Sequence, residues 1–226
     1  MLMRRTFTLS AALLAATPWL AAPAHAQSGA QVVIDGARKT LADLRRDKVF
    51  SIAERAIHRA RAVMIVPRLI KGGFIVGGEG GSGVLMVQAR DGTWSNPAFY
   101  AIGAGSFGLQ VGLEQSELVL MVMTPKGLDG LLRNQFKLGA QAGIAVAMLG
   151  AGVEAALAGP TPPDVVVWSS SMGLYGGLTL NGSIIKPQPN EDAAWYGRRL
   201  TTRDILFGRF DVPRAAGLRR ELHAIG

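Results

Sequence analysis

The chain contains 226 residues, no cysteine and three histidines, and its formal net charge at pH 7 is +8. Without cysteine, disulfides, thiolate catalysis, cysteine-ligated metals and a lipid anchor on an N-terminal cysteine are all excluded. One histidine lies within the first 26 residues and the other two are far apart, so we predict no metal site and no cofactor.

The first 26 residues have the layout of an export signal. Arg4 and Arg5 precede a short apolar run at 9–20, and the tripeptide that ends at Ala26 fits a small-x-small cleavage site. The arginine pair also resembles a twin-arginine signal, and the sequence leaves the choice between that route and general secretion open. We expect an exported, periplasmic protein without a lipoprotein anchor, in which residues 27–226 form a single domain.

Residues 30–61 are predicted to form a basic helical arm, because apolar residues recur there at steps of three and four. These residues are Val33, Ala37, Leu41 and Leu44 in a first helix, then Phe50, Ala53, Ile57 and Ala60 in a second. Gly36 weakens the first helix and leaves its start open. The sequence does not decide whether the arm packs on the rest of the protein or inserts into a membrane, although packing is favoured for most of its apolar residues.

From residue 62 the pattern changes to short runs of Val, Ile, Leu and Met separated by Gly, Pro, Asn and Asp, which predicts strands. The runs are 63–66, 74–76, 84–89, 99–102, 109–113, 118–124, 165–169, 174–180 and 183–185. A short helix is predicted at 125–133, and mostly helical structure at 192–225 with interruptions near Gly208 and Pro213. The result is an α+β fold with a Gly-rich antiparallel β core, sandwich or barrel-like, an N-terminal helical arm and C-terminal helices.

The segment 138–157 is apolar for about 20 residues and has the length of a transmembrane helix. Gln141, Glu154 and the high content of Gly and Ala favour Gly-rich strands or a buried element instead.

Seven glycines in segment 66–87 stand between two β-prone runs, and three of them, Gly78, Gly80 and Gly83, spell the G-x-G-x-x-G of a nucleotide-binding loop. Such a loop needs a helix after it, whereas residues 84–87 read as a strand. We therefore interpret the block as structural, allowing tight bends and close backbone approach in the β core. It comprises Gly72, Gly73, Gly77, Gly78, Gly80, Gly81 and Gly83.

No residue is predicted to be catalytic. Ser106 lies in A-G-S-F-G, close to a nucleophile elbow, but both candidate partners, His58 and His223, fall in predicted amphipathic helices. The carboxylates are scattered without the spacing of an acid/base pair. A hydrolase that uses Ser106 remains an alternative of lower rank than a binding module.

Charge is segregated along the chain. Residues 27–71 hold ten Lys and Arg against four Asp and Glu, a net charge of +6, whereas residues 72–190 carry −2 and residues 191–226 carry +2. A segregated basic segment indicates an anionic partner such as a membrane surface, nucleic acid or an acidic protein. Export makes nucleic acid the least expected of these.

Several motifs in order resemble the SYLF domain family. They are AVMIVP (62–67), KGGF (71–74), GGEGGSGV (77–84), WSNPAFY (94–100), GSFGLQVG (105–112), ELVLMV (117–122) and NEDAAWYGRRLTTRDILFG (190–208). The resemblance covers nearly the whole of residues 27–226, and several motifs in the right order are much more specific than a single glycine pattern. The chain resembles an exported bacterial member of this family.

The resemblance implies a non-enzymatic lipid-binding module. Eukaryotic members bind phosphoinositide membranes with the help of a basic amphipathic N-terminal segment, and some also bind actin. An export signal makes actin unexpected here and makes anionic bacterial phospholipids the natural substitute for phosphoinositides. The alternative is a cell-envelope module that binds an acidic protein.

The candidate lipid contacts fall into two groups. The arm supplies Arg38, Lys39, Arg45, Arg46, Arg55 and Arg59 for general attraction to an anionic surface. Arg68 and Lys71, beside the glycine block, are the candidates for a specific contact with a head group, against the simpler interpretation of solvated loop residues.

Overall fold

A computed structural model describes residues 29–73, 76–107, 112–139, 143–150, 152–171, 182–208 and 210–226. The predicted signal segment 1–26 and the predicted strand at 174–180 lie outside the described residues, as does part of the run at 109–113.

The predicted helical arm is confirmed as two helices, α1 (Gly29–Arg46) and α2 (Phe50–Arg59). Asp47 makes the break between them: its backbone carbonyl accepts from Phe50 N–H and its side chain accepts from Val49 N–H. The other carboxylate oxygen of Asp47 accepts from Trp168 Nε1 at 3.1 Å, which ties the turn to the sheet. Gly36 allows α1 to approach the sheet, because a Cβ at that position would lie 2.7 Å from Pro67 Cβ.

Eight strands within the described residues form one curled sheet, a half-barrel, in the order β5-β8-β3-β2-β1-β4-β7-β6. Their bounds are β1 (Ala62–Gly73), β2 (Val76–Val87), β3 (Ala98–Phe107), β4 (Gly112–Val122), β5 (Phe136–Lys137), β6 (Val146–Met148), β7 (Val165–Ser169) and β8 (Ile184–Pro187). The predicted α+β class is confirmed, in its barrel-like form. All neighbouring strands pair antiparallel except β6 and β7, which pair parallel.

The remaining helices are α3 (Pro125–Leu131), α4 (Val153–Ala158), α5 (Pro189–Tyr196), α6 (Thr202–Phe207) and α7 (Ala216–His223). A 3-10 turn, Pro213–Ala215, precedes α7, so the interruptions predicted near Gly208 and Pro213 are confirmed. The α6 helix begins with a capping box, in which Thr201 Oγ1 accepts from Asp204 N–H and the Asp204 carboxylate accepts from Thr201 N–H.

Alternate residues of the strands enter two cores on the two faces of the sheet. The first core contains Ile65 and Met121 from the sheet with the apolar sides of α1, α2, α5 and α7. The second core contains Met64 and Leu120 with side chains from α3 and α6. The helices α1, α2 and α7 thus cover one face of the sheet, and we call them the helical layer.

The glycine motif lies within strand β2 and is followed by strand residues, not by a helix. Strand β1 carries a bulge after Ile65, where its register with β2 shifts. A Cβ on Gly83 would lie 2.4 Å from the Ile65 carbonyl oxygen, and one on Gly81 would lie 2.5 Å from the Arg68 carbonyl oxygen. Only glycine lets β2 follow β1 so closely past the bulge.

The apolar segment 138–157 contains β6 and the short helix α4. Within the described ranges, no helix is both long and apolar enough to cross a membrane.

Candidate functional site

The six arm cations lie on the outer side of the helical layer, and we call them the cationic helical surface. Arg38, Lys39, Arg45, Arg46, Arg55 and Arg59 are all exposed. The apolar side of the helices faces the sheet. Leu41 and Leu44 of α1, for example, are fully buried in the first core. The arm therefore packs on the sheet, and its surface toward solvent is charged.

A carboxylate on α7 joins the helices of this layer. Glu221 Oε1 accepts from Arg38 Nε at 2.8 Å and lies 2.7 Å from Arg38 Nη2. Arg45 Nη2 donates to the backbone oxygen of Glu221 at 2.8 Å. Two cations seven residues apart on α1 thus converge on one residue of α7.

A second group of ion pairs lies along α1. Asp43 accepts from Lys39 and, at 3.0 Å, from Arg46 Nη1. Lys39 also lies 3.3 Å from Glu117 on strand β4. The hydrogen bond with Asp43 raises the pKa of Lys39 and lowers the pKa of the Asp43 carboxyl. These pairs partly compensate the positive charge of α1 but leave the long side chains at the surface.

The structure separates Arg68 from Lys71. Arg68 is the cross-strand partner of Ser82 on β2. Ser82 shares a face of the sheet with Val84, two residues further along, and Val84 belongs to the first core. Arg68 therefore lies on the face that the helical layer covers. Lys71 shares the opposite face with Leu69 of the second core. The two cations therefore do not form a joint site, and their contact with a head group stays a prediction.

Lys71 lies between two carboxylates in the sheet. Glu79 on β2 and Glu114 on β4 are its direct cross-strand partners. Glu79 also accepts a hydrogen bond from Ser183 Oγ at 2.8 Å. Opposite charges directly across a sheet stabilise its pairing, so Lys71 has a structural role beside the predicted one.

A second cationic region, which the sequence interpretation missed, lies in the C-terminal segment. The guanidinium of Arg214 stands 4.6 Å from the centre of the Trp195 ring, and that of Arg198 stands 5.4 Å from the centre of the Phe210 ring. Phe210 also meets Tyr196 edge to face. The signal in the sequence is the interleaving of arginines with aromatic residues after position 190, which the larger excess at 27–71 obscured.

Two grooves flank Phe210. A groove of ≈ 450 Å³ is lined by Tyr196, Arg198, Phe210 and Arg214. On the other side, a groove of ≈ 500 Å³ lies between the β2–β3 connection and α7 and is lined by Trp94, Phe210, Arg219, Arg220 and His223. Both have the volume of small-molecule sites.

Asp192 is a buried carboxyl beneath this region. It is 1% exposed, and its Oδ1 accepts from Phe99 N–H at 2.9 Å. Its Oδ2 has no hydrogen-bond partner among the described residues. Burial raises the pKa of Asp192 to about 6, with a smaller contribution from Glu191.

Features of hydrolytic and metal chemistry are not assembled in the part of the chain that the structure describes. Ser106 lies inside strand β3, opposite Gly77, whereas a nucleophile elbow requires a strand-to-helix turn. Among the described residues, no three His, Asp or Glu side chains come together as a metal site.

Comparison with known proteins decides the family. A family model described as "Las17-binding protein actin regulator" (Ysc84) matches residues 103–225, more than half of the chain. The chain belongs to the Ysc84 (SYLF) family. The resemblance read from the motifs is thereby confirmed.

Three curated proteins that this Ysc84 (SYLF) chain is similar to come from yeast and human. The chain is 31% identical to Protein YSC84 of Saccharomyces cerevisiae over 163 residues, which are 71% of this chain and 35% of that protein. It is 31% identical to human SH3 domain-containing YSC84-like protein 1 over 171 residues, 75% of this chain and 48% of that protein. LAS seventeen-binding protein 3 of S. cerevisiae is 30% identical over 162 residues, 70% of this chain and 35% of that protein. The chain thus spans between about a third and a half of the length of these relatives.

Proposed function

We propose that this Ysc84 (SYLF) domain is a non-catalytic module that docks on anionic phospholipid head groups through its cationic helical surface. The observation that supports the proposal is the division of α1 and α2 into two sides. Most of their apolar residues are buried or partly buried against the sheet, while six cations are exposed to solvent. A surface of this kind attracts an anionic membrane without inserting into it.

The expected binding is weak and depends on ionic strength. Each exposed cation near an anionic membrane contributes about 1 kcal/mol. Asp43, Glu117 and Glu221 compete with the head groups for Arg38, Lys39 and Arg46. Long-range attraction between exposed charges is screened within about 8 Å at physiological salt, so added salt should release the protein.

The test is co-sedimentation of the purified protein with vesicles of phosphatidylcholine alone or mixed with phosphatidylglycerol or cardiolipin. We expect pelleting with the anionic vesicles in low salt, and loss of pelleting at high salt. The double variant Arg46→Gln/Arg59→Gln should bind about 30-fold more weakly, since two cations together contribute about 2 kcal/mol.

A matched control lies on the other side of the sheet. Arg133 follows α3 and Arg203 belongs to α6, and both are exposed on elements that pack on the second core. The variant Arg133→Gln/Arg203→Gln removes the same charge and should bind anionic vesicles like the unaltered protein. Equal losses in the two double variants, or equal pelleting with neutral vesicles, would exclude docking by the cationic helical surface.

We further propose export to the periplasm, with peripheral association at a membrane there. The support is the pattern of residues 1–26, in which paired arginines, an apolar run and a small-x-small site follow in order. Cell fractionation with mass spectrometry of the mature N-terminus tests it. We expect a periplasmic product that begins at Gln27, and a full-length cytoplasmic product would contradict the proposal.

A second candidate partner for the same surface is an acidic protein of the cell envelope. The names of the relatives support it, because LAS seventeen-binding protein 3 and the family description both refer to a protein partner. A pull-down from detergent-extracted, lipid-depleted envelope separates the two candidates. A partner that is retained without lipid, and lost with Arg46→Gln/Arg59→Gln, would favour the protein partner over lipid.

A further inference from the structure

The groove beside α7 combines an aromatic wall with a cationic rim. Trp94, from the β2–β3 connection, and Phe210 line it, and Arg219, Arg220 and His223 of α7 stand along the same space. Its volume is ≈ 500 Å³. Trp94 packs in the first core and is 6% exposed, so the groove meets only one edge of this side chain.

Arg219 is held in place by two neighbours. Its Nη1 donates to Asn96 Oδ1 at 2.7 Å and its Nη2 donates to Asp211 Oδ1 at 2.5 Å. Asn96 in turn donates to the backbone oxygen of Phe210 at 2.8 Å. This chain of hydrogen bonds fixes Phe210 and Arg219 relative to each other, and Arg219 compensates the charge of Asp211, the one carboxylate that lines the groove in the described residues.

Arg220 differs from its neighbour, because its side chain is exposed and makes no hydrogen bond or ion pair with another described residue. His223 follows one helical turn later on the same side of α7, as residues three apart do, and it is also exposed. Arginine presents a planar fork of N–H donors that matches the oxygens of phosphate. The unpaired guanidinium of Arg220 and the imidazole of His223 thus both line the groove on the α7 side.

The groove across Phe210 strengthens the preference for an anion. Arg198 and Arg214 line that neighbouring groove together with the carboxylate of Asp211, so arginines outnumber carboxylates on both sides of Phe210. An aromatic wall beside these arginines favours a ligand that carries an apolar part as well as a negative charge. A simple inorganic anion would leave the wall unused.

We propose that the groove lined by Trp94, Phe210, Arg219, Arg220 and His223 binds a phosphate monoester with an apolar substituent. Arg220 and His223 contact the phosphate, and the wall of Trp94 and Phe210 contacts the apolar substituent. The ligand can be a phospholipid with a terminal phosphate or a soluble organic phosphate, since both present this chemistry. The site goes beyond the proposed membrane docking, because it needs no vesicle and uses none of the cations of α1 and α2.

The experiment is a titration followed by the indole N–H signal of Trp94 in ¹H–¹⁵N NMR spectra. Trp94 lines the groove, and its Nε1 is buried without a hydrogen-bond partner among the described residues, so a ligand that packs against this side chain should shift its signal. The probes are dihexanoyl phosphatidic acid below its micelle concentration, phenyl phosphate, inorganic phosphate and dihexanoyl phosphatidylcholine. We expect saturable shifts with at least one of the first two, with Kd at least tenfold lower than for inorganic phosphate, and no saturable shift with the phosphatidylcholine.

Variants separate this site from general charge. Arg220→Gln/His223→Gln should raise Kd at least tenfold while leaving Tm unchanged, because both side chains are exposed. Arg46→Gln/Arg59→Gln, which weakens vesicle docking, should leave Kd unchanged. Equal Kd in the groove variant and the unaltered protein, or binding of phosphatidylcholine or inorganic phosphate as tight as that of the esters, would overturn the proposal. The protein can fail to bind vesicles and still bind a probe in the groove, or bind vesicles and fail to bind a probe. The two proposals are therefore tested independently.

Discussion

The two basic regions of the chain hold their cations in different ways. On α1, Arg38 and Lys39 lie against the carboxylates of Glu221, Asp43 and Glu117. In the C-terminal segment, Arg198 and Arg214 lie over the rings of Phe210 and Trp195. The first region is a convex helical surface, whereas the second surrounds grooves.

This difference indicates two kinds of recognition. Ion pairs on an open surface are replaced by other anions at little cost, which suits a membrane whose head groups are numerous and mobile. Arginines fixed beside aromatic rings define a shape as well as a charge, which suits a single ligand. The net charge of +6 at 27–71 therefore predicts binding to a membrane surface. The net charge of +2 at 191–226 is too small to indicate the arginines that surround the grooves there.

The largest expected effect comes from breaking the packing that presents the helical surface. Leu41 is fully buried in the first core. Leu41→Ala should lower the free energy of unfolding by about 2–5 kcal/mol, the range for a buried leucine that leaves a cavity. Urea denaturation followed by circular dichroism measures it.

The control is Val32, which is on the same helix and 54% exposed. Val32→Ala should change the free energy of unfolding by less than about 0.5 kcal/mol. Similar decreases in the free energy of unfolding in the two variants would mean that α1 does not pack on the sheet through Leu41. The assignment of the cationic helical surface to the outer side of α1 would then be wrong.

The next effect is a pH dependence that comes from a buried carboxyl of the C-terminal region. Burial raises the pKa of Asp192 from its usual 3.8 to about 6. The folded protein therefore holds this proton more tightly than the unfolded chain does, and the contribution of Asp192 to stability falls as pH rises from about 4 to about 6. Asp192→Asn removes the charge and keeps an acceptor for Phe99 N–H.

We expect Asp192→Asn and the unaltered protein to be equally stable near pH 4. At pH 7.5 the variant should be more stable by up to about 3 kcal/mol, since one pKa unit corresponds to about 1.4 kcal/mol. The measurement is the free energy of unfolding across this pH range. A difference between the two proteins that does not change with pH would refute the assignment.

The smallest effect separates the two ways of holding an arginine. Arg38→Gln removes an ion pair in which the arginine side chain is 47% exposed, and Arg214→Gln removes a contact with the Trp195 ring. Each should lower the free energy of unfolding by no more than about 1 kcal/mol.

Salt distinguishes these two variants. The cost of Arg38→Gln should shrink toward zero in 1 M NaCl, because exposed charges are screened. The cost of Arg214→Gln should persist, because ring stacking acts at contact and includes packing of the side-chain stem. Urea denaturation at low and high salt compares them, and an identical salt response would remove the distinction between the regions.

Several elements of the fold were predictable because a local pattern specifies them. The three- and four-residue spacing of Leu41 and Leu44 identified α1 and its buried side. The strand after Gly83 excluded a nucleotide-binding loop. The ends of the long strands β1 to β4 were not predicted, because their Gly-rich halves lack the alternation of apolar residues on which strand prediction rests.

The site was predictable in part. The cations of 27–71 were recognised from charge alone, and the structure shows the six from the arm exposed on α1 and α2. The separation of Arg68 from Lys71 was not visible, because the bulge after Ile65 resets which residues of β1 share a face. The groove at Trp94 was missed for a different reason: its walls lie more than a hundred residues apart in the chain.

The sequence by itself determined the α+β composition, the family and the basic helical arm. Each of these depends on local spacing or on motifs in linear order. Only the tertiary structure decided that the arm packs on the sheet, that its cations pair with Glu117 and Glu221, and that Trp94 and Arg220 line one groove. These are contacts between distant segments, and they follow from how the sheet curls and where the helices dock on it, which no local pattern encodes.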